Sequence, residues 1–340
     1  MKSVLLISPR WMDIYQDIVD ALKYKGFYVD YIEEVSNQRD PNNVRGKKQY
    51  SHRTYSEKLK QYWIKILNSK PYNRAYDILF VIDGQGVHPV LFDILTRRND
   101  KLLKVNYLFD TVAGVYHFEK NFIYFDRIYT FDIKESKKFG ISFMPIYWKQ
   151  EISTDVDYKF FGFGSYIKQR FDLFRKIEVF ANMHQMNSFI KVLVKNRYPN
   201  WIYDVRRYIR RLFDLYDDYP SFLYNSTLAY EHTMTPSQFR DYINKSEIII
   251  DTCPLHQDGL TARFMWALGA GKKIITTNES VKTYSFYSDS FIFLVNMDES
   301  FIDNKKFYEF VNSNYIESKE VREKINEYRL DNWLRILIGI

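Results

Sequence analysis

Cysteine is nearly missing from this chain: Cys253 stands alone among 340 residues. That excludes an internal disulfide and a cysteine-built metal cluster. No stretch of eighteen consecutive apolar residues occurs, which argues against a membrane-spanning helix. The opening Met1–Arg10 has only a short apolar run and no small-residue cleavage site, so it reads as a first strand and not as a signal peptide. Lack of a signal and of disulfides together makes the cytoplasm the expected compartment. Internal repeats of short period and low-complexity tracts are absent. So are the signatures of helix-turn-helix, zinc-finger and ribonucleoprotein modules, so nucleic acid is not an expected partner.

What is there is a globular composition. Hydrophobic residues make up 46% and charged residues 27%, enough for a full core, and the length suits two domains of ordinary size. The formal net charge is +7. Such a balance fits nucleic acid, an anionic membrane face or anionic small substrates, and equally a lysine-rich proteome. Aromatics reach 18%, with 29 Tyr and 27 Phe. Dense cores, sugar-stacking surfaces and membrane-interface contact all produce that enrichment.

Along the chain, apolar runs alternate with helical periodicities. Val4–Ser8 reads as a strand, Met12–Tyr24 as a helix stopped at Gly26, and Phe27–Ile32 as a second strand. Ser36 to Ser56 is polar and basic and reads as a long loop. Strands at Ile78–Ile82, Lys104–Phe109 and Ile128–Phe131 each run into an aspartate: Asp83, Asp110 and Asp132. A parallel sheet would bring those ends to one edge. Pro89–Thr96 reads as a short helix, Ile141–Trp148 as the last strand of the first half, and Glu151–Tyr158 as a linker. Phe160–Gly164 restarts the pattern, with a helix from about Gln169 and a strand at Phe189–Val194. Trp201–Tyr216 is predicted helical, with Arg206, Arg207, Arg210 and Arg211 opposite its apolar face. Those arginines either meet anionic headgroups or belong to a helix packed on the sheet. Thr235, Pro236 and Gln238 form a capping-box start for Pro236–Lys245. Phe291–Val295 is one more strand, and Ser318–Leu337 reads as a long terminal helix.

The most informative segment is Ile248–Arg263 running on to Asn278. It reads as buried strand, polar turn, helix, glycine stop and second buried strand. Its polar residues gather at one end, where ligands of open α/β sheets bind. A glycine, a hydroxyl and an arginine on the first helical turn suit an anionic ligand such as a nucleotide diphosphate.

The run Gln257-Asp258-Gly259-Leu260-Thr261-Ala262-Arg263, with Leu268–Asn278 and Tyr284-Ser285-Phe286-Tyr287 after it, resembles the donor-domain motif of bacterial glycosyltransferases of surface polysaccharide, of the CgeB type. Asp83-Gly84-Gln85, Tyr107–Thr111 and Phe125–Asp132 are similar to their first half, more loosely. The resemblance implies the GT-B fold: two Rossmann-like doubly wound α/β domains facing across a cleft. Residues 1–150 would bind the acceptor, residues 151–319 the nucleotide sugar, and residues 320–340 would cross back to the first domain. It implies transfer of a sugar to a lipopolysaccharide, capsule or other surface-glycan acceptor, with no cofactor and no bound metal. A peripheral contact with the inner membrane face goes with such acceptors. In these relatives Arg-x-x-Glu is common after the glycine turn. Here Trp266 holds the glutamate position and cannot accept hydrogen bonds from a ribose diol. Either another residue does so, or the donor differs, for instance a cytidine monophosphate-linked acidic sugar.

The candidate donor-binding residues are Gly164, Arg170, Tyr230, Glu231, His256, Gln257, Gly259, Leu260, Thr261 and Arg263. Arg263 would hold phosphate by paired hydrogen bonds and Gly259 would allow close backbone approach; the bland alternative is an ordinary capped helix with a solvated arginine. Arg170 either reaches the diphosphate or is solvated on its helix. Lys272 and Lys273 read as surface lysines, at least one of them. Inverting transfer needs a base for the acceptor hydroxyl, and Asp110 is the candidate, with Asp83 and Asp132 as comparable strand-end residues. Asp83, Gln85 and His88 are the acceptor-side candidates. The reading from another class is a non-catalytic nucleotide- or nucleic-acid-binding α/β protein.

Overall fold

The structure, a computed structural model, describes residues 1–35, 51–112, 118–150, 152, 155–194, 205, 226–253, 257–297 and 301–340. Val4 to Ile7 are completely buried in the first strand, β1 (Ser3–Ser8). Only a strand covered on both faces tolerates such an unbroken apolar run. It pairs in parallel with β2 (Tyr28–Glu33) on one side and β3 (Ile78–Ile82) on the other. β4 (Leu103–Leu108), β5 (Arg127–Thr130) and the short β6 (Ser142–Phe143) extend the sheet, in the order β2-β1-β3-β4-β5-β6. The strand order reverses beside β1, which makes the gap between β1 and β3 the topological switch point.

The second sheet is also parallel and doubly wound, with a different strand order. Its strands are β7 (Tyr158–Ser165), β8 (Ser188–Leu193), β9 (Ala229–Tyr230), β10 (Ser246–Asp251), β11 (Lys273–Thr276) and β12 (Ile292–Leu294). All pair in parallel, in the order β12-β11-β10-β7-β8-β9. Here the order reverses between β7 and β10.

The chain divides into two compact units. The first is Met1–Tyr147 with Gln257–Gly259 and Glu327–Ile340; the second is Trp148–His256 with Leu260–Asn326. In the first, α1 (Ile14–Tyr24), α2 (His52–Leu67), α3 (Pro89–Arg98) and α4 (Ile133–Phe139) connect the strands. The expectation of a loop through Ser56 is overturned at its end. α2 starts at His52 because Tyr55, Leu59, Trp63 and Leu67 bury one helical stripe. The predicted strand Ile141–Trp148 shrinks to Ser142–Phe143, since Pro145 has no N–H with which to continue a ladder.

In the second unit, α5 (Lys168–Met183), α6 (Pro236–Asn244), α7 (Ala262–Gly269), α8 (Lys305–Asn312) and α9 (Lys319–Asn326) surround the sheet. α6 begins with the capping box read from Thr235 and Gln238. The single terminal helix expected over Ser318–Leu337 is instead two, α9 and α10 (Leu330–Ile338). The indole N–H of Trp148 donates to the Ile325 carbonyl at 2.9 Å, so α9 can end without a helical partner there. α10 belongs to the first unit, where Trp333 packs against Phe80, Tyr107, Phe109 and Tyr147. Lys272 and Lys273 are both buried, which corrects their reading as surface lysines. The Lys273 ammonium donates to the carbonyls of Phe310, Val311 and Ser313, a cage that satisfies all three of its hydrogens. Burial pushes its pKa down to about 8. Apart from Val205, the helix predicted over Trp201–Tyr216 lies outside the described residues.

Candidate functional sites at the two switch points

The first unit opens a pocket of about 440 Å³ at its switch point. Ser8 ends β1, Glu34 follows β2, Asp83 follows β3, and Phe109 and Asp110 follow β4; all five line it, together with Trp11, Gln85 and three further residues. β1 to β4 are neighbours in one parallel sheet, so their carboxyl ends meet at one edge. The turn after β3 does most of the shaping. Asp83 sits at φ 59°, a left-handed conformation that non-glycine residues rarely adopt. Its carboxylate accepts the backbone N–H of Phe109 at 2.7 Å and of Asp110 at 3.2 Å. The Glu34 carboxylate accepts from Gly84 at 2.6 Å and Gly86 at 3.3 Å.

Three carboxyl groups thus share one pocket. Glu34 and Asp83 are buried, and Asp110 is exposed beside them. Burial and the Asp110 charge push Asp83 up to about 7, against the pull of its two backbone N–H donors. Glu34 is held well above the usual carboxylate range, by burial first and by Asp83 second. The walls around Asp110 raise its pKa by desolvation. Such carboxyls exchange protons nearer neutral pH, which is what acid–base chemistry requires. Among the described residues no group of three or more His, Cys, Asp or Glu side chains is placed to hold a metal ion.

The second unit does the opposite at its own switch point. Arg170, on the first turn of α5, and Arg263, on the first turn of α7, converge beside the ends of β7 and β10. The Arg170 guanidinium donates to the Thr252 hydroxyl at 2.8 Å and to the Ser165 carbonyl. Arg263 donates to the Ile250 carbonyl at 3.3 Å and lies 3.7 Å from the Asp251 carboxylate. Asp251 is fully buried and also accepts the Thr261 hydroxyl at 2.6 Å, while Thr261 caps α7 through Phe264 N–H. Two guanidiniums therefore face one carboxylate. The Arg263 side chain is 11% exposed, and its buried Nε has no hydrogen-bond partner. Burial and the neighbouring Arg263 charge pull Arg170 down to about 9, with Asp251 and Cys253 opposing. Burial likewise lowers Arg263. Both remain cations at neutral pH, so the corner holds an excess of positive charge with an unused donor.

The residues singled out in the sequence fall into three groups. Asp83, Gln85 and Asp110 come together in the first pocket. Gly164, Arg170, Thr261 and Arg263 come together in the second corner; a Cβ on Gly164 would lie 2.7 Å from the Arg170 guanidinium. The others stand apart. His88 caps α3, its Nδ1 accepting from Val90 N–H at 3.2 Å, and burial and Lys60 lower its pKa. It does not line the pocket. Tyr230 ends the edge strand β9 with its ring against Phe163, and Glu231 beyond it is exposed. Leu260 is buried. His256 lies outside the described residues. Gln257 and Gly259 belong to the first unit. The Asp132 carboxylate accepts from Asp258 N–H at 2.7 Å and Gly259 N–H at 3.0 Å, and caps α4 with its other oxygen. A Cβ on Gly259 would lie 2.4 Å from the Phe131 ring. The close approach expected at Gly259 is therefore made by Phe131 and not by a ligand. Arg263 is not the solvated residue of the bland alternative, and neither is Arg170.

Sequence reading missed Glu34, Asp251 and Trp11. Glu34 and Asp251 carried the same signal as Asp83, an acid at the end of an apolar strand. Trp11 carried none. Trp266 at the usual glutamate position is 1% exposed, edge-on to Phe239 and under the Arg240 guanidinium, and so serves as core.

No protein-family model and no curated protein matches this chain at the sequence level. Solved structures do match it. An α,α-trehalose-phosphate synthase (UDP-forming) from Burkholderia vietnamiensis superposes with a TM-score of 0.57 at 10% identity, over 100% of this chain and 97% of that one. An α-glucosyltransferase in complex with UDP and a 13-mer DNA containing a HMU base gives 0.54 at 12% identity, over 98% and 95%. A UDP-GlcNAc 2-epimerase from Methanocaldococcus jannaschii, in complex with UDP-GlcNAc and UDP, gives 0.50 at 11% identity, over 100% of each. With two six-stranded parallel sheets, each flanked by helices, the fold of this chain is GT-B. Among the described residues no helix is long and apolar enough to cross a membrane.

Proposed function

We propose that this protein is a glycosyltransferase that moves a sugar from a nucleotide-sugar donor to a lipopolysaccharide, capsule or other surface-glycan acceptor. One observation carries the reading: two nearly buried guanidiniums face a single carboxylate at the switch point of the second sheet. Buried like charges are costly, and a dianionic ligand offsets that cost. The diphosphate of the donor would lie against the exposed part of the Arg263 side chain, with Arg170, Gly164 and Thr261 around it.

As the glycosidic bond to phosphate breaks, negative charge grows on the leaving diphosphate. Guanidiniums already in place stabilise it without reorganisation, and no metal is needed for that step. Asp110 takes the acceptor hydroxyl proton, and its raised pKa makes it a better base than an ordinary aspartate. Asp83 and Gln85 belong to the acceptor side.

Thermal stabilisation tests the reading. Uridine, guanosine or cytidine diphosphate at about a hundred times its Kd should stabilise the fold by about 2.7 kcal/mol. A single-stranded oligonucleotide should do nothing. Stabilisation by the oligonucleotide and by none of the nucleotides would favour nucleic-acid binding and end the proposal.

A further inference from the structure

The pocket of the first unit has a character that its role as an acceptor site does not by itself require. The chain as a whole carries +7, yet none of the described residues lining this pocket is basic. Arg10, next to it in sequence, is held by Glu33 at 2.9 Å. Ionised carboxylates only accept hydrogen bonds, so Asp110, and Asp83 above its pKa of about 7, ask for a ligand rich in donors, and the amide of Gln85 both donates and accepts. They repel phosphate and carboxylate groups. At the pocket's edge stands Trp11, a large aromatic left 54% exposed. Met12 and Asp13, which follow it, are both left-handed, at φ 51° and 55°. With Asp83, three of the four described non-glycine residues at positive φ cluster at this pocket. Strain of that kind persists where surrounding structure holds it, and it gathers at ligand sites. A volume of about 440 Å³ accommodates a small cyclic ligand.

We infer that this pocket binds a hydroxyl-rich, non-anionic pyranose unit of the acceptor, its apolar face stacked on Trp11 and its hydroxyls donated to Asp83 and Asp110. The inference rests on the transferase reading for the word acceptor, but not for the binding itself. Trp11 is thereby a specificity-determining residue, and acceptors bearing phosphate or carboxylate on that sugar are excluded. A nucleic-acid backbone is excluded with them.

The test uses no nucleotide, so its failure and that of the transferase reading are separable. Methyl glucoside, galactoside and mannoside, each beside its 6-phosphate, are titrated into the full-length protein by calorimetry, with tryptophan emission as a second readout. At least one neutral glycoside should bind and shift the emission. Its 6-phosphate should bind roughly tenfold more weakly or worse, the factor that about 1.4 kcal/mol gives. Trp11→Ala should lose a similar factor, and Trp11→Phe should restore most of it, both with unchanged circular dichroism. A 6-phosphate that binds as tightly as its parent overturns the inference. So does native affinity in Trp11→Ala, or no binding by any of the three glycosides up to their solubility limit. If glycosides bind while nucleotides do not stabilise the fold, the pocket stands and the transferase reading falls.

Discussion

The two sheets of this protein are both parallel and doubly wound, with two strands laid down before the reversal in the first and three in the second, and they differ in what each places at the switch point. The first collects three carboxyls, Glu34, Asp83 and Asp110, and raises their pKa values. The second collects two guanidiniums, Arg170 and Arg263, and lowers theirs. In both, burial is the largest cause and a neighbouring like charge adds to it at Asp83 and Arg170. Gathering buried like charges is costly to folding, even where hydrogen bonds hold each group in place. Opposite charge at the two switch points suits the two ligands proposed above, an anion at the second site and a donor-rich neutral group at the first.

Removing Arg263 should break the comparison most severely. Arg263→Ala takes away a cation aimed at developing negative charge, and turnover should fall by about a hundred- to a thousandfold, on the order of 3–4 kcal/mol of transition-state stabilisation. The protein should stay folded, as read by circular dichroism. Normal turnover would sink the donor-site assignment.

Two glycines sharpen the contrast between scaffold and ligand site. A Cβ on Gly86 would lie 2.1 Å from the Val35 carbonyl oxygen, which is backbone and cannot swing away. Gly86→Ala should destabilise the protein by roughly 1–3 kcal/mol in a denaturant titration. On Gly164 the Cβ would meet the tip of the Arg170 side chain at 2.7 Å, and that tip can move. Gly164→Ala should cost under about 1 kcal/mol, yet weaken nucleotide binding by displacing the guanidinium. Equal stability losses in the two variants would remove the distinction.

A further contrast is in the pH dependence. Asp83 titrates near 7 when folded and near 3.8 otherwise, so the folded state holds its proton more tightly. Its stabilising contribution is complete below about pH 4 and is lost as pH rises to about 7. Glu34 adds a slope of the same sign. Arg170, shifted down to about 9, contributes no slope in that window. Denaturant midpoints should therefore decline between pH 4 and 7, and Asp83→Asn should flatten the decline while keeping an acceptor for Phe109 N–H. An unchanged slope in that variant would show that the acidic corner titrates elsewhere.

Much of this was legible in the residues. Apolar runs ending in Asp83, Asp110, Asp132 and Asp251 mark parallel strands and their carboxyl ends, because a strand buried on both faces leaves only its ends for polar groups. Thr235 with Gln238 announces a helix start through purely local hydrogen bonds. Where partners are distant in sequence, reading failed. Nothing local says that Asp132 is spent on Asp258 and Gly259 N–H groups, more than a hundred positions away, or that Trp148 ends α9. Lys273 looks solvated until three carbonyls of another segment surround it. Trp11 sits in an irregular turn, with no period to report its exposure.

Periodicity and strand-end chemistry, both local properties, were enough to determine from the sequence that this is a two-sheet α/β protein with polar residues at the carboxyl edges. Which of those edge residues meet was decided only by tertiary structure. Strand order is set by long-range pairing, and it alone brings β1 beside β3 and β7 beside β10. That order sends Asp132 to a structural tie, Asp83 to a shared pocket and Arg170 to Arg263, because burial and neighbouring charge act through space and not along the chain.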